Sequence, residues 1–599
     1  MGFPSFDEIT SKALSAFKRF PITLSWAIMG SLICIGIINV DSDLLFDAYG
    51  ELLLTLMLGI SWFIGTQFLI EQLKNPIKWH WLKLIILGFM LLFYVHLPDM
   101  GQYDVDPKFY IRFFLYLVAG HLFLFFAPFI FTWNNTAFWN YLKAMCIAIG
   151  RSILFSGVLY LGLVLAMVAV QSLFDVDIKS KRYGQLFIFC LGIVNTWTYL
   201  SDFPKDIQNH TTINYNKALE VFVKYILIPL LLLYIVILYA YGLKIVLEWN
   251  LPKGWVSYLV IALAFLGFIV QVMVNPIQKT IKSWTINRFY PWFYILLIPL
   301  IALLFIAILK RINDYGVTEN RYFVFSIALW ILGITLYLLF GKKKQLRILP
   351  VSLFILAILS SFGFWGAFNI STNSQIKQFE HLFRTANENG NIVSRRQYDR
   401  LRSIVDYLAD RKSISRLDAI VGLNVYDICK DTNENSKTTF DYYAPKRLLD
   451  SIGIKIDPNE GATYTNRDYY NLYTEWNTVH NYPISGYDHF AAILYNDYDN
   501  TQLKIGGYHI YFDQTGDEIR LSNRIDSSAS LIIPIKQRLM DLTKYGNTLD
   551  KAPKKELMLE SKNEKLSAQL ILTGLRYSII ESDSLEFNEL RGFLFLKQN

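Results

Sequence analysis

The sequence predicts an all-α membrane bundle of about eleven transmembrane helices, followed by a C-terminal α+β soluble domain. The first observation is a succession of long apolar segments, the last of which covers residues 348–371. The second is charge: residues 1–371 hold 28 Lys and Arg against 18 Asp and Glu, whereas residues 372–599 hold 29 against 31. The positive excess therefore lies in the apolar part, where Lys and Arg keep loops on the cytoplasmic side, and it implies no nucleic-acid partner.

A transmembrane helix needs about 20 mostly apolar residues. We predict spans at residues 21–40, 48–70, 82–97, 109–131, 150–173, 184–200, 221–244, 255–274, 290–309, 322–340 and 348–368. The first is expected to be retained, because no small-residue cleavage site of a signal peptide follows it. Before it, Phe and Ile recur at helical spacing opposite Lys12 and Lys18. This pattern predicts either an amphipathic interfacial helix or the first turn of the span.

The distribution of Lys and Arg over the short loops favours a cytoplasmic N-terminus. An odd number of spans then places the soluble domain in the periplasm of a Gram-negative cell, with the bundle in the inner membrane. Two predicted outer loops are nevertheless basic. They are either exceptions to the rule or a surface for an anionic head group. The candidate head-group or interface residues are Lys179, Lys181, Arg182, Arg311, Tyr315, Arg321 and Tyr322.

Few polar residues lie inside the predicted spans, and two of them are ionisable candidates. Arg112 is close enough to a span end for its head to reach the interface. His121 is the better candidate for a buried polar role, but a structural hydrogen bond between helices is the more frequent reason for such a residue. No Asp or Glu is predicted near the middle of a span, which disfavours a proton- or sodium-coupled transporter.

The predicted domains are residues 1–371 (transmembrane), 372–480 (helical) and 481–599 (rich in strands). Predicted helices of the soluble region cover residues 375–387, 395–408, 413–431 and 444–452. Predicted strands cover residues 507–512, 518–521, 531–535, 557–560, 566–572, 576–580 and 592–596, with a helix at 535–545.

The soluble region carries no motif of catalysis or metal binding. His480, His489 and His509 lack the spacing of zinc ligands, and Cys429 is alone, so no disulfide can form within the domain. Residues 497–500 begin like a calcium loop but lack its Gly and its closing Glu, which favours a polar turn. We therefore predict no cofactor, no metal and no catalytic residue.

Aromatic residues are concentrated in one short part of the soluble region. The set is Tyr464, Tyr469, Tyr470, Tyr473, Trp476, Tyr482, Tyr487, Tyr495, Tyr498, Tyr508 and Tyr511. Such side chains could stack on sugar rings or on a partner. The alternative is that strands simply favour Tyr.

Three motifs carry a family resemblance. They are the segment 311–322, which contains YGVTENRY, the segment 363–375, which begins GFWGAFNIS, and RGFLFLK at residues 591–597. Together they resemble the bacterial membrane proteins grouped as domain of unknown function 4153, common in Bacteroidetes. The resemblance extends over nearly the whole chain and implies the same architecture. That family has no established activity, so no catalytic residue can be transferred.

These observations leave two hypotheses. In the first, the protein is a non-enzymatic envelope protein for binding or scaffolding, whose periplasmic domain meets a protein or a glycan while the bundle contacts membrane lipids. In the second, it is a transporter or a membrane protein that handles a lipid-linked substrate, with a cavity near His121 and an anionic substrate held by the basic outer loops.

Overall fold

The computed structural model divides the chain into two compact units, Met1–Ile456 and Asp457–Asn599. It describes residues 6–40, 43–98, 105–213, 215–248, 255–278, 283–341, 344–431, 439–457, 467–474, 483–496, 503–512, 518–523, 530–545, 549, 552–580 and 584–598.

The first unit is helical. Its membrane part consists of α1 (Phe6–Arg19), α2 (Pro21–Val40), α3 (Asp43–Glu71), α4 (Leu82–His96), α5 (Lys108–Phe126), α6 (Asn135–Phe174), α7 (Ser180–Ile188), α8 (Asn195–Ser201), α9 (Lys217–Phe222), α10 (Ile228–Glu248), α11 (Trp255–Val274), α12 (Trp284–Tyr315), α13 (Glu319–Phe340) and α14 (Ile348–Ser361). Among the described residues, nine helices are long and apolar enough to cross a membrane. They correspond to nine of the eleven predicted spans, so the protein is a multi-pass membrane protein.

The other two predicted spans are shorter or less regular than expected. The segment 184–200 lies in α7 and α8, which a π-helical stretch, Phe189–Val194, joins. The segment 348–368 was predicted as one span, but α14 ends at Ser361. The chain then breaks at Phe362–Gly366, because Gly363 adopts a φ of 82° that only glycine reaches easily. Ahead of the first span, α1 is a helix separate from α2.

Aromatic side chains form much of the core between these helices. Phe68 of α3 packs edge-on against Phe20 and Tyr141, with ring centroids 5.8 Å apart in both pairs. Phe129, just after α5, lies 5.2 Å from Phe138 of α6. Such edge-to-face pairs add to the packing energy of the buried rings. They fix α3, α5 and α6 around the junction of α1 and α2.

The helices that follow the last apolar helix belong to the same compact unit. They are α15 (Ala367–Glu388), α16 (Arg395–Asp410), α17 (Asp418–Val421), α18 (Val425–Cys429) and α19 (Ala444–Ser451), with a short parallel pair of strands, β1 (Ile392–Val393) and β2 (Lys455–Ile456). Phe379, Leu401, Leu408 and Leu448 are buried in their core. The helix predicted at 413–431 is instead divided into short pieces, because Gly422 has a φ of 72° and ends α17.

The second unit is built from antiparallel strands. They are β3 (Arg467–Tyr473), β4 (His489–Asn496), β5 (Leu503–Ile505), β6 (Tyr508–Phe512), β7 (Glu518–Asn523), β8 (Leu531–Pro534), β9 (Met558–Lys562), β10 (Leu566–Ile580) and β11 (Ser584–Gln598), with α20 (Lys536–Leu542) after β8. One sheet has the order β3-β10-β11-β4, with β9 also paired to β10, and the other has the order β5-β6-β7-β8.

The long hairpin of β10 and β11 organises the larger sheet. Its register runs from Leu566 opposite Gln598 to Ile580 opposite Ser584. The strands predicted at 566–572 and 576–580 are one continuous strand, with a register shift between Leu572 and Gly574. A β-bulge of this kind interrupts the alternation of a strand without ending it. The polar segment 497–500 and residues 514–516, which separate two of the predicted strands, lie outside the described residues.

Candidate functional site

A cavity of about 300 Å³ lies where the ends of several membrane helices meet in the first unit. We call it the boundary cavity. Its lining is His96, Asp106, Lys108, Phe109, Arg112, Glu319, Phe362, Gly363, Gly366, Phe368, Asn369, Thr372, Arg411, Ser413 and Arg416. These residues come from the last turn of α4, the start of α5, the first residue of α13, the junction of α14 and α15, and the segment after α16.

Arg112, an intramembrane candidate in the sequence, forms one wall of the boundary cavity. Its Nε donates to the carbonyl of Ser361 at 3.1 Å, and its Nη1 lies 3.1 Å from Nε2 of His96. Its guanidinium carbon lies 5.1 Å from the centre of the Phe368 ring. All three of these contacts are with groups that carry no negative charge. They hold the guanidinium in place without neutralising it.

Two carboxylates of the lining are buried, and both are paired. Asp106 accepts from the backbone N–H of Lys108 at 2.9 Å and forms an ion pair with Nζ of Lys108 at 2.8 Å. Oε1 of Glu319 accepts from Nε of Arg411 at 2.9 Å and from the hydroxyl of Tyr407 at 2.8 Å. Burial and the Glu319 carboxylate raise the pKa of Tyr407, so its hydroxyl stays a donor at neutral pH.

The pair of Glu319 and Arg411 joins the membrane bundle to the helices that follow it. Glu319 is the first residue of α13, where a carboxylate is also favoured by the helix dipole. Arg411 follows α16, so this contact fixes the end of α16 against the start of α13. Arg416 is exposed at the cavity, and its Nη2 donates to Oδ1 of Asn373 at 2.7 Å.

Two of the three motifs are in direct contact at this end of the bundle. The turn between α12 and α13 belongs to the first motif, and α15 carries the second. Nε2 of Gln375 donates to the carbonyls of Tyr315 at 3.1 Å and Val317 at 2.9 Å, and Oγ of Ser374 accepts from the backbone N–H of Val317 at 2.8 Å. Gly316 has a φ of 71°, and a Cβ there would lie 2.9 Å from a side-chain atom of Gln378. Packing of α15 therefore requires glycine in this turn.

The remaining residues of the first motif support the same junction. Arg321 donates to the carbonyls of Tyr315 at 3.1 Å and Gly316 at 2.8 Å, and its guanidinium lies over the ring of Tyr315. Tyr322 donates to the carbonyl of Trp365 at 3.0 Å. Arg311 is exposed near the C-terminal end of α12. Of these four candidates, Arg321, Tyr315 and Tyr322 have structural partners.

The other candidates lie elsewhere. Lys179 is the N-cap residue of α7, Lys181 donates to the carbonyl of Asn39 at 2.9 Å, and Arg182 donates to Gln185 at 2.8 Å. These contacts place the basic segment at the end of α2, against which α7 packs. His121 is exposed on α5, and its Nδ1 lies 2.8 Å from the carbonyl of Leu117 in the same helix. That bond is within one helix, not between two, and it leaves the ring outside the bundle core.

Sequence reasoning missed most of the boundary cavity. Asp106 and Glu319 flank spans and do not lie within them, and Lys108, Arg411 and Arg416 had no pattern that set them apart. The one available signal was Glu319, which falls inside the first motif.

Among the described residues, most side chains of the aromatic cluster in the second unit are buried or pack against neighbouring side chains. Tyr508 is buried, Tyr495 stacks on Phe512 at 4.2 Å, and the hydroxyl of Tyr487 donates to Gln569 at 3.0 Å. Tyr511 is exposed. Tyr464, Trp476, Tyr482, Tyr498 and His480 lie outside the described residues.

The third motif has a structural role in β11. Gly592 faces the backbone of Ile571 so closely that a Cβ would collide with its carbonyl. Arg591 donates to Glu589 at 2.6 Å. The motif thus fits the bulged hairpin of β10 and β11.

Comparison with known proteins bears on the family of the chain. No solved structure matches the chain. The chain is 29% identical over 247 residues to an uncharacterized protein of Pasteurella multocida (strain Pm70), an alignment that covers 39% of this chain and 40% of that relative. The chain therefore spans less than half the length of that relative. A family model described as Domain of unknown function (DUF4153) matches residues 27–404, which include the first two motifs and exclude the third. The match covers more than half of the chain, and the protein belongs to this family.

Proposed function

We propose that the protein binds an anionic head group, such as a phosphate ester, in the boundary cavity. The observation that carries this proposal is the charge of the lining. Lys108, Arg112, Arg411 and Arg416 oppose only two carboxylates, and both of those are already paired. The described lining thus has two more positive than negative charges in a partly desolvated place, where an anion interacts more strongly than it does in water.

The chemistry of the cationic groups supports a phosphate or carboxylate ligand. A guanidinium offers planar pairs of donors that match the oxygens of such anions. Arg112 is held by Ser361 and His96, so little side-chain freedom is lost when it binds. The helix ends around the cavity belong to apolar helices, which supports a site near the level of lipid head groups. The hypothesis of a lipid-handling protein is thus the better supported of the two.

Ligand-induced stabilisation of the full chain in neutral detergent tests this proposal. A ligand that binds only the folded state at 100 times its Kd stabilises that state by about 2.7 kcal/mol. We expect phosphatidylglycerol to raise the melting temperature of the wild type and phosphatidylcholine to leave it unchanged. The variant carrying Arg112→Gln and Arg416→Gln should lose the response. Arg384→Gln, which alters an exposed arginine paired with Glu380, should keep it. An equal response of all three proteins would refute the proposed site.

We also propose that the chain lies in the bacterial inner membrane with its N-terminus in the cytoplasm and the residues after α14 in the periplasm. The excess of Lys and Arg in the alternate short loops supports this orientation. Protease treatment of intact spheroplasts should then cleave within residues 457–599. Protection until the cells are lysed would place that unit in the cytoplasm.

A second candidate function is the binding of a periplasmic glycan or protein by the strand unit. Phe490 and Leu494 favour it, because both are exposed on the same face of β4. The ring of Phe490 also stacks on Phe593 of the neighbouring strand at 5.7 Å. Sedimentation of the full chain with purified peptidoglycan sacculi tests the glycan. Phe490→Ala with Leu494→Ala should reduce the sedimented fraction, whereas Ile532→Ala, on β8 of the other sheet, should not.

A further inference from the structure

An apolar stripe on α4 leads from the boundary cavity towards the middle of the membrane. His96 lines the cavity and is the last residue of α4. Leu92, Phe89 and Ile85 precede it by four, seven and eleven residues, and residues at this spacing share one face of a helix. All three are exposed, Leu92 by 67%. We call these three side chains the α4 stripe.

The length of the α4 stripe matches one leaflet. From Ile85 to His96 the helix rises about 16 Å at 1.5 Å per residue. The hydrocarbon core of a bilayer is about 30 Å thick, so the stripe covers about half of it. A chain lying on the stripe would therefore remain in the leaflet whose head groups are level with the cavity.

Exposed apolar residues also adjoin the boundary cavity at the junction between α14 and α15. Phe362 lines the cavity and is half exposed. Phe364, two residues later, is 80% exposed, and its ring lies 4.5 Å from that of Trp365. Aromatic side chains at a helix end favour the interface of a membrane. Exposed apolar residues thus adjoin the cavity lining both on α4 and at the junction of α14 and α15.

From these features we infer that the ligand of the boundary cavity is a membrane lipid, whose anionic head group enters the cavity while an acyl chain lies along the α4 stripe. This inference rests on the proposed binding of an anionic head group and specifies its source. A soluble phosphate ester would use the cationic lining alone. A lipid gains in addition the apolar contact with Leu92 and Phe89.

Calorimetric titration of the full chain in neutral detergent separates the two sources. The probes are dioctanoyl phosphatidylglycerol, a phosphodiester that carries two acyl chains, and glycerol 3-phosphate, a phosphomonoester that carries none. We expect the wild type to bind the lipid more tightly. The variant carrying Leu92→Ala and Phe89→Ala should bind the lipid about tenfold more weakly, with an unchanged Kd for glycerol 3-phosphate.

A matched control removes the same two residue types from another exposed helix. Leu154→Ala with Phe155→Ala alters α6, where both side chains are also exposed, and should leave both Kd values unchanged. An equal loss in the stripe and control variants overturns the inference. The inference is also overturned if the stripe variant weakens the binding of both probes alike, or of neither. It is overturned as well if the wild type does not bind the lipid more tightly than glycerol 3-phosphate. If Arg112→Gln changes neither Kd, the proposed function itself fails.

Discussion

Removal of Arg411 is expected to destabilise the first unit strongly. Its guanidinium pairs with Glu319, whose side chain is only 6% exposed, and is itself only 17% exposed. Without Arg411, the carboxylate would stay buried with the Tyr407 hydroxyl as its remaining donor in this group. Leaving one member of a buried ion pair unpaired costs about 3–5 kcal/mol. We therefore expect Arg411→Gln to lower the free energy of unfolding by about that amount.

A double-mutant cycle tests whether Arg411 and Glu319 stabilise the folded state through their interaction. Glu319→Gln removes the charge that Arg411 balances, so the double variant with Arg411→Gln should be more stable than the sum of the single effects predicts, by about 2 kcal/mol. Equilibrium unfolding in mixed micelles gives the four free energies. Arg384→Gln serves as the reference, because its pair with Glu380 is exposed and worth less than about 1 kcal/mol. If Arg411→Gln costs no more than Arg384→Gln, or if the two changes add, the pair does not join α16 to α13.

Three further outcomes are expected from other features of the first unit. Gly316→Ala should cost about 1–3 kcal/mol more than Gly390→Ala in the same unfolding assay, because both have a positive φ but only at Gly316 would a Cβ meet a neighbouring side chain, at 2.9 Å. A chain ending at residue 456 should remain monodisperse in gel filtration, whereas one ending at residue 371 should aggregate, because the latter loses helices that pack in the same compact unit. Burial raises the pKa of the Cys429 thiol to about 11, so in a variant that retains only this cysteine a maleimide at about pH 8 should label the unfolded protein but not the folded one.

The membrane helices could be predicted because their signal is local. Twenty apolar residues in succession are enough to identify a span such as α11 or α13. The last predicted span is an exception. In the last segment, residues 348–371 stay apolar beyond Ser361, so hydropathy gives no sign of the break that Gly363 introduces. Composition measures the polarity of a segment and is insensitive to the φ of a single residue.

The strand unit was harder to predict because its pairing is not local. β3, Arg467–Tyr473, has no clear alternation in its sequence, and it becomes a strand by pairing with β10, about a hundred residues later. The interruption near Gly574 suggested two strands, whereas pairing on both sides holds β10 together through its bulge. In both cases the partner strand determines the structure, and a single-sequence pattern contains no information about the partner.

The boundary cavity could not be predicted for a related reason. Successive spans run in opposite directions, so the end of α4 and the start of α5 meet at the same level. The start of α13 and the end of α14 join them there, although more than two hundred residues separate the two pairs. In a helical bundle, loop residues and helix ends that are far apart in the sequence therefore lie next to one another, and no short stretch of the sequence includes them all. Charges can be kept at this level, because a charge at the middle of the bilayer is costly while one at a helix end can reach polar surroundings. Asp106 and Glu319 therefore lie outside the middle of every predicted span, where a buried carboxylate is expected to mark a site, and belong to the residues that flank the spans.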